Sequence, residues 1–435
     1  MSEPIIGVLG ILILLILFIT GIEMGFAMAL VGFLGFTYIV SFKAACSILA
    51  KDVYSVFSGY GFTVIPLFVL MGQVAFNAGI ARRLYDSAYK FIGHIPGGLA
   101  MATVVAATAF KAICGSSPAT AATFASVAVP EMDRYNYGQK LSTGVTATVG
   151  TLGVILPPSV TLIIYGYITE QSIASMFLAG IIPGIIIAFS FMVIIYGWCK
   201  ISPSLGPRGK KSTWKERISS CPEFAAVTII FLLVIGGMMS GFFTPTEGGS
   251  IGTFGVILYS FIRKDLNFAG FIQSARESIC IGCMILMLLA GSTILGHFLA
   301  VARLPSIAAD WVTSLPLNRY VILTLICFVY LIGGSFIDDL AFMILATPIF
   351  YPVAIKLGFD PLWFGIMICI TVMVGVIIPP VAMNVFVVKN ITKVPMGVIY
   401  KGCYPFLISI ILCAVLFGLF PRLVTFLPSV LMNIK

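Results

Sequence analysis

Charge is what this sequence has least of. Only 9% of its 435 residues are Asp, Glu, Lys or Arg, where soluble domains carry about 25%. With 60% hydrophobic residues and a mean hydropathy of +1.11, that shortage excludes a large globular core and leaves a polytopic membrane protein. The net charge of +9 is no nucleic-acid footprint, because the Lys and Arg sit in short connections between apolar runs, where they set topology. Histidine is nearly absent. His94 lies in a connection close to Pro96 and His297 stands alone in an apolar run, too few for most enzymatic constellations. No His-Glu-x-x-His and no phosphate-binding Gly-x-x-x-x-Gly-Lys occurs, which argues against an intramembrane metalloprotease and against a chain that hydrolyses nucleotide itself. The ten Cys are scattered and form no disulfide framework. Cys280 and Cys283, among Ile, Met and Leu, lack the electropositive or ligand-rich setting that redox or metal chemistry needs. A basic leader is also missing: the first apolar segment, Ile5 to Ile19, follows Glu3 and reads as a retained span rather than a signal peptide.

What the chain does have is one phrase said twice, Gly153-Val-Ile-Leu-Pro157-Pro158 and Gly375-Val-Ile-Ile-Pro379-Pro380. A double proline in an apolar run removes backbone donors and clashes with the preceding turn, so each phrase predicts a broken helix, over about 138–168 and 361–388. Two further apolar segments are interrupted at mid-length. Segment 97–130 breaks at Cys114-Gly-Ser-Ser-Pro118, and 320–353 breaks at Gly333-Gly-Ser-Phe-Ile-Asp-Asp339. Such patterns predict re-entrant hairpins, which the bilayer tolerates only where protein or a water-filled cavity surrounds them. Ordinary spans are expected at about 5–21, 24–42, 56–78, 173–199, 223–243, 249–262, 279–302 and 402–420, with one long polar connection at 200–222.

The second half repeats the first. Gly153 and Gly375 are 222 residues apart, as are Pro130 and Pro352; Glu23 and Glu247 differ by 224, Gly115 and Gly334 by 219. Five full spans per half is an odd number, so the second half is inserted upside down. Placing 200–222 in the cytoplasm also places Arg82, Arg83, Arg134, Lys140, Arg263, Lys264, Lys389, Lys393 and Lys401 there, as the positive-inside rule requires; Arg303, Arg319 and Arg422 fall outside. The fold class is therefore an all-α polytopic membrane protein with inverted repeats, two re-entrant hairpins and two broken helices, a transporter architecture.

Each double proline should strip the helical partners from two carbonyls, Gly153 and Val154 in the first half and Gly375 and Val376 in the second. Such buried carbonyls need a taker, and a dehydrated sodium ion is an established one in transporters. The hairpin tips add oxygens: Ser116, Ser117 and Thr120 beside Gly115, and Ser335 and Asp338 beside Gly334. Asp338, one turn into the second arm, suits a cation ligand; Asp339 is read as facing water or capping the helix. Lys111 is expected to snorkel to the cytoplasmic face, and Glu23 and Glu247 to hold helix ends. With no Arg near either tip, a substrate anion is expected to be held by half-helix N-termini and hydroxyls, against Ser116, Ser117, Pro157, Ser159, Pro380 and Asn384.

The runs Gly115-Ser-Ser-Pro-Ala-Thr-Ala-Ala122, Thr151-Leu-Gly-Val-Ile-Leu-Pro-Pro-Ser159, Phe243-Thr-Pro-Thr-Glu247, Gly334-Ser-Phe-Ile-Asp338 and Pro379-Pro-Val-Ala-Met-Asn384 closely resemble the large membrane subunit of tripartite ATP-independent periplasmic (TRAP) transporters, essentially end to end. That resemblance implies a sodium-coupled importer of small organic acids in a bacterial inner membrane, flanked by a small membrane subunit and fed by a periplasmic substrate-binding protein. It implies an elevator, in which hairpins and broken helices move as one block (56–170 with 276–400) against a scaffold (1–55, 171–275 and 401–435). It also places sodium near Ser116, Ser117, Gly153, Gly334, Asp338 and Gly375, with Asn384 a further candidate. Many dicarboxylate-type members carry Asn and Glu where this chain has Thr371 and Met373, and often Thr where it has Ile378. The stretch Gly334-Ser-Phe-Ile-Asp-Asp-Leu-Ala-Phe342 is instead similar to members carrying sugar acids such as sialic acid. A stand-alone sodium/anion symporter of the same architecture is the runner-up. A channel or pump subunit fits two inverted hairpins in one chain less well.

Overall fold

Polar caps and proline breaks cut the apolar sequence into helices in a computed structural model that describes residues 2–314 and 317–432. The first half contains α1 (Glu3–Ile19), α2 (Met24–Ile39), α3 (Phe42–Ser58), α4 (Val64–Asn77), α5 (Ile80–Ile92), α6 (Gly98–Lys111), α7 (Ser117–Arg134), α8 (Gln139–Thr151), α9 (Val160–Ile168) and α10 (Ile173–Ile201). The second contains α11 (Trp214–Met239), α12 (Pro245–Ile262), α13 (Phe268–Val301), α14 (Leu304–Ser314), α15 (Arg319–Phe336), α16 (Asp339–Lys356), α17 (Pro361–Gly375), α18 (Met383–Thr392), α19 (Met396–Leu419) and α20 (Arg422–Leu431). No strand occurs among the described residues. Glu23 and Glu247 do hold helix ends: Glu23 accepts the Phe26 N–H at 3.3 Å, and Glu247 exchanges bonds with Thr244 in a capping box at the start of α12, which satisfies donors orphaned at a helix N-terminus.

Both expected hairpins (α6–α7 and α15–α16) and both broken helices (α8–α9 and α17–α18) are present. Some connections are more ordered than expected. Residues 43–55, between the spans expected at 24–42 and 56–78, form most of the amphipathic α3, and Arg82, Arg83 and Lys90 lie on the amphipathic α5. The last third of the 200–222 connection is already α11, capped by Thr213. Residues 268–278, ahead of the span expected at 279–302, join it in one 34-residue helix, α13.

The direction of the helices settles how the halves are related. Gly25 lies against Met287 and Leu288, and Gly32 against Ile294 and Leu295, so α2 and α13 run parallel. Gly249 lies against Leu67 and Gly252 against Met71, so α4 and α12 run parallel too. Gly282 meets Pro66 while Ser274 meets Gln73 and Asn77, so α4 and α13 are antiparallel. Hence α2 opposes its repeat equivalent α12, and α4 opposes α13. The halves are inverted. The charges agree, since Arg83 and Arg263 share Glu223 at 3.1 and 2.9 Å, and Arg217 reaches the Lys90 carbonyl at 3.1 Å. All belong to the face assigned to the cytoplasm.

The packing groups the helices differently from the domain boundaries expected above. Helices α4 and α13 pack with α2 and α12, whereas α10 and α19 pack with the hairpins and broken helices. Small residues let the backbones of the first group touch, the usual basis of helix association in lipid. A Cβ on Gly32 would lie 2.7–2.8 Å from the backbone of Ile294 and Leu295, and backbone cannot step aside. Gly32→Leu is expected to destabilise the folded protein by about 3 kcal/mol, read as loss of monodisperse protein in detergent; Gly397→Leu, with nothing near its Cβ position, should behave as wild type.

Candidate functional site

Where the two hairpin tips come together, between the α4–α13 pair and the block of broken helices, the structure encloses a cavity of about 260 Å³. The first tip contributes Cys114, Gly115, Ser116, Ser117 and Pro118; the second contributes Asp338, Asp339 and Leu340. Phe68, Val69, Gly72 and Gln73 of α4 close one side with Ile281, Met284 and Ile285 of α13, and Val160, Thr161 and Met383 come from just beyond the two breaks. Apolar walls with a few convergent polar groups are the usual form of a small-ligand site.

The first tip is built by a proline-assisted restart. Ser116 caps α7 through the Ala119 N–H at 3.4 Å, and Pro118 sits in the first turn, where its missing donor costs nothing. The Ser116 carbonyl accepts the Thr120 hydroxyl at 2.9 Å and the Lys111 ammonium at 2.6 Å. Lys111 therefore does not snorkel, contrary to the expectation from sequence; it is fully buried and turned inward to the tip.

The second tip is tighter than its sequence suggested. Gly334 and Ser335 lie in the last turn of α15, and the chain unwinds only at Ile337 and Asp338. Asp338 is not a turn into the second arm but its cap, accepting the Leu340 and Ala341 N–H groups at 3.2 and 3.4 Å. Asp339 neither caps nor faces bulk water: it is buried, 5% exposed, in the first turn of α16 at the cavity wall.

Behind the tips the breaks differ from a simple pair of bare carbonyls. Ser159 donates to the Val154 carbonyl at 2.7 Å, and the Asn384 N–H reaches the Val376 carbonyl at 3.3 Å. The Gly375 carbonyl receives the Ile378 N–H at 3.3 Å. The Gly153 carbonyl loses its α-helical partner, because position 157 is proline. Gly375 packs against the Gly334 backbone, and Gly153 against the Lys111 side chain. Both double prolines contain a cis bond.

Of the residues expected to meet substrate, Ser116 and Ser117 line the cavity, but Pro157, Ser159, Pro380 and Asn384 do not. Pro157 and Ser159 are buried behind the first break, and Pro380 is exposed on the second. Asn384 is a strut: its amide donates to Ser117 Oγ at 3.0 Å and to the Ala147 carbonyl at 3.2 Å, tying the second break to the first hairpin. Gln73 and Thr161 are polar wall residues that sequence reasoning passed over; a lone amide inside an apolar span was the available signal for the first. The run Gly248-Gly-Ser-Ile-Gly252 has the spacing of a hydrolase elbow, but it lies within α12 and Ser250 donates to the Thr246 carbonyl. That is not the strand-to-helix turn such a nucleophile needs.

Comparison with known proteins follows the same lines. Residues 11–423 match the family model described as "Tripartite ATP-independent periplasmic transporter, DctM component". The chain is 32% identical over 383 residues to the C4-dicarboxylate TRAP transporter large permease protein of Pseudomonas aeruginosa, covering 88% of each. It is 30% identical over 438 residues to the sialic acid TRAP transporter large permease protein of Vibrio cholerae, covering 100% of this chain and 99% of that one. It is 29% identical to an isethionate TRAP transporter permease of Oleidesulfovibrio alaskensis, covering 91% of this chain but 62% of that one. Among solved structures it is similar in fold to the Alcanivorax borkumensis YdaH transporter, with a TM-score of 0.64 at 12% identity over 88% of this chain and 90% of the other.

Proposed function

Because the chain belongs to the TRAP transporters as their large permease subunit, a multi-pass protein of the bacterial inner membrane and a carrier rather than an enzyme, we propose that it imports a small organic acid anion coupled to sodium. The observation that carries this reading is the meeting of two inverted hairpin tips in one cavity whose walls hold Asp338 and Asp339 but no Lys or Arg. An anion next to carboxylates is unfavourable at short range, so a cation must enter with it. The N-terminus of α7 and the hydroxyls of Ser116, Ser117 and Thr161 then meet the substrate's acid group. Sodium sits on the second-half side, among oxygens near Asp338, Gly334 and Gly375.

The substrate is a sugar acid such as sialic acid, or a C4-dicarboxylate, the two classes carried by full-length relatives. A periplasmic binding protein delivers it, and a small membrane subunit flanks the permease. Movement is by elevator: the hairpins, broken helices, α10 and α19 shift against the frame of α2, α4, α12 and α13.

Proteoliposomes containing both membrane subunits, given the cognate binding protein and a panel of labelled acids, are expected to accumulate one class only under an inward sodium gradient. Equal uptake in potassium overturns the coupling, and undiminished uptake without the binding protein points to a stand-alone carrier.

A further inference from the structure

Lys111 is a cation sealed inside the block that the proposed function assigns to cation binding. It is 0% exposed, and no carboxylate of the described residues lies within ion-pair distance. Asp339 is near enough to act on the ammonium electrostatically but not to touch it, and a buried ammonium without a contact partner persists only if oxygens solvate it. Its position supplies one. One donor goes to the Ser116 carbonyl at 2.6 Å, and the head group lies against Gly153, so closely that any Cβ there would collide with it. Gly153 is also where Pro157 leaves a carbonyl without its helical partner.

The repeat shows what this replaces. The offset of 219 residues that pairs the hairpin tips, Gly115 with Gly334, pairs Lys111 with Tyr330, whose hydroxyl lies 3.2 Å from that of Thr347 and carries no charge. In the second half the atoms nearest a Cβ on Gly375 belong to the Gly334 backbone, and no Lys or Arg lines the cavity beside Asp338 and Asp339. We propose that the Lys111 ammonium is a resident cation that fills the first-half ion position, leaving the second half alone to take a mobile ion. A tethered charge makes the same electrostatic contribution as a bound ion but never leaves, so the first break contributes structure and no coupling. This inference rests on the sodium-coupled reading for its second half, and the experiment separates the two.

The assembled membrane complex, wild type and Lys111→Ala, is melted in sodium, lithium, potassium or choline chloride and assayed for sodium-dependent uptake. Lys111→Met, of similar length without charge, distinguishes packing from electrostatics. Both variants are expected to melt lower than wild type in choline. Sodium should raise the Lys111→Ala melting point by about 3 °C more than it raises that of wild type, and the Hill coefficient for sodium in uptake should rise by about one. Lys111→Met, whose methyl end blocks the vacated space, should stay unrescued. Destabilised Lys111→Ala that no cation restores, or an unchanged sodium response with intact uptake, overturns the proposal. A wild type indifferent to sodium beside a responsive Lys111→Ala keeps the resident cation and sinks the sodium-coupled reading; indifference of both sinks the two together.

Discussion

Asp338→Asn is expected to lower sodium-driven uptake at least about a hundredfold while leaving the protein folded. The reason lies in what the side chain does twice. As the cap of α16 it accepts the Leu340 and Ala341 N–H groups, and asparagine caps about as well as aspartate. As one of two carboxylates in a cavity with no basic side chain, it supplies charge that an amide cannot. A loss of about 3 kcal/mol in cation binding corresponds to that factor of a hundred. Asp338→Ala should lose the same activity and, in addition, about 1 kcal/mol of stability with the cap. Uptake and melting temperature measured on both variants form the check. If Asp338→Asn transports at the wild-type rate with an unchanged half-saturating sodium concentration, the carboxylate is a cap and nothing more.

Gly375→Ala should be nearly as damaging for a steric reason. The added Cβ would stand 2.9–3.2 Å from the carbonyl carbon, Cα and oxygen of Gly334. These are backbone atoms at the end of α15, with no rotamer to yield, so α15 and α17 must separate by several tenths of an ångström. Overpacking of this kind costs about 1–3 kcal/mol, and here it falls on the oxygens proposed to hold the ion. Uptake at limiting sodium should fall at least about tenfold, with partial recovery at saturating sodium. Gly418→Ala, which adds a methyl to open space, is the control. A Gly375→Ala protein with wild-type sodium dependence would falsify the assignment of that carbonyl region to the ion.

The sequence carried the architecture because prolines and glycines act on the backbone directly. Pro157, Pro158, Pro379 and Pro380 remove donors wherever they fall, so both breaks, and the constant spacing between them, could be read without coordinates. The inversion was legible from an odd number of crossings and the placement of Arg and Lys. Side-chain destinations were not. Lys111 lies one turn from a hairpin end, where reaching for water is the default; its inward turn depends on Gly153, distant in sequence and adjacent only in the fold. Gly334 and Ser335 were placed on an unwound tip because Gly and Ser usually mark one. The second tip has no counterpart of Pro118, and nothing stops α15 before Phe336. Ser159 did carry a signal: a hydroxyl directly after a double proline caps the restarted helix, and from there it also reaches the Val154 carbonyl.

The glycine contacts of α2 with α13 have one more outcome. Gly25, Gly32 and Gly291 bring main chain onto main chain with no side chains between them. A seam of that kind has no interdigitating teeth to re-engage one turn along, so slippage would drive Cβ atoms into peptide planes on the way. These members behave as a keel. Any rearrangement of the permease is expected to leave this seam closed and to fall on contacts elsewhere in the bundle.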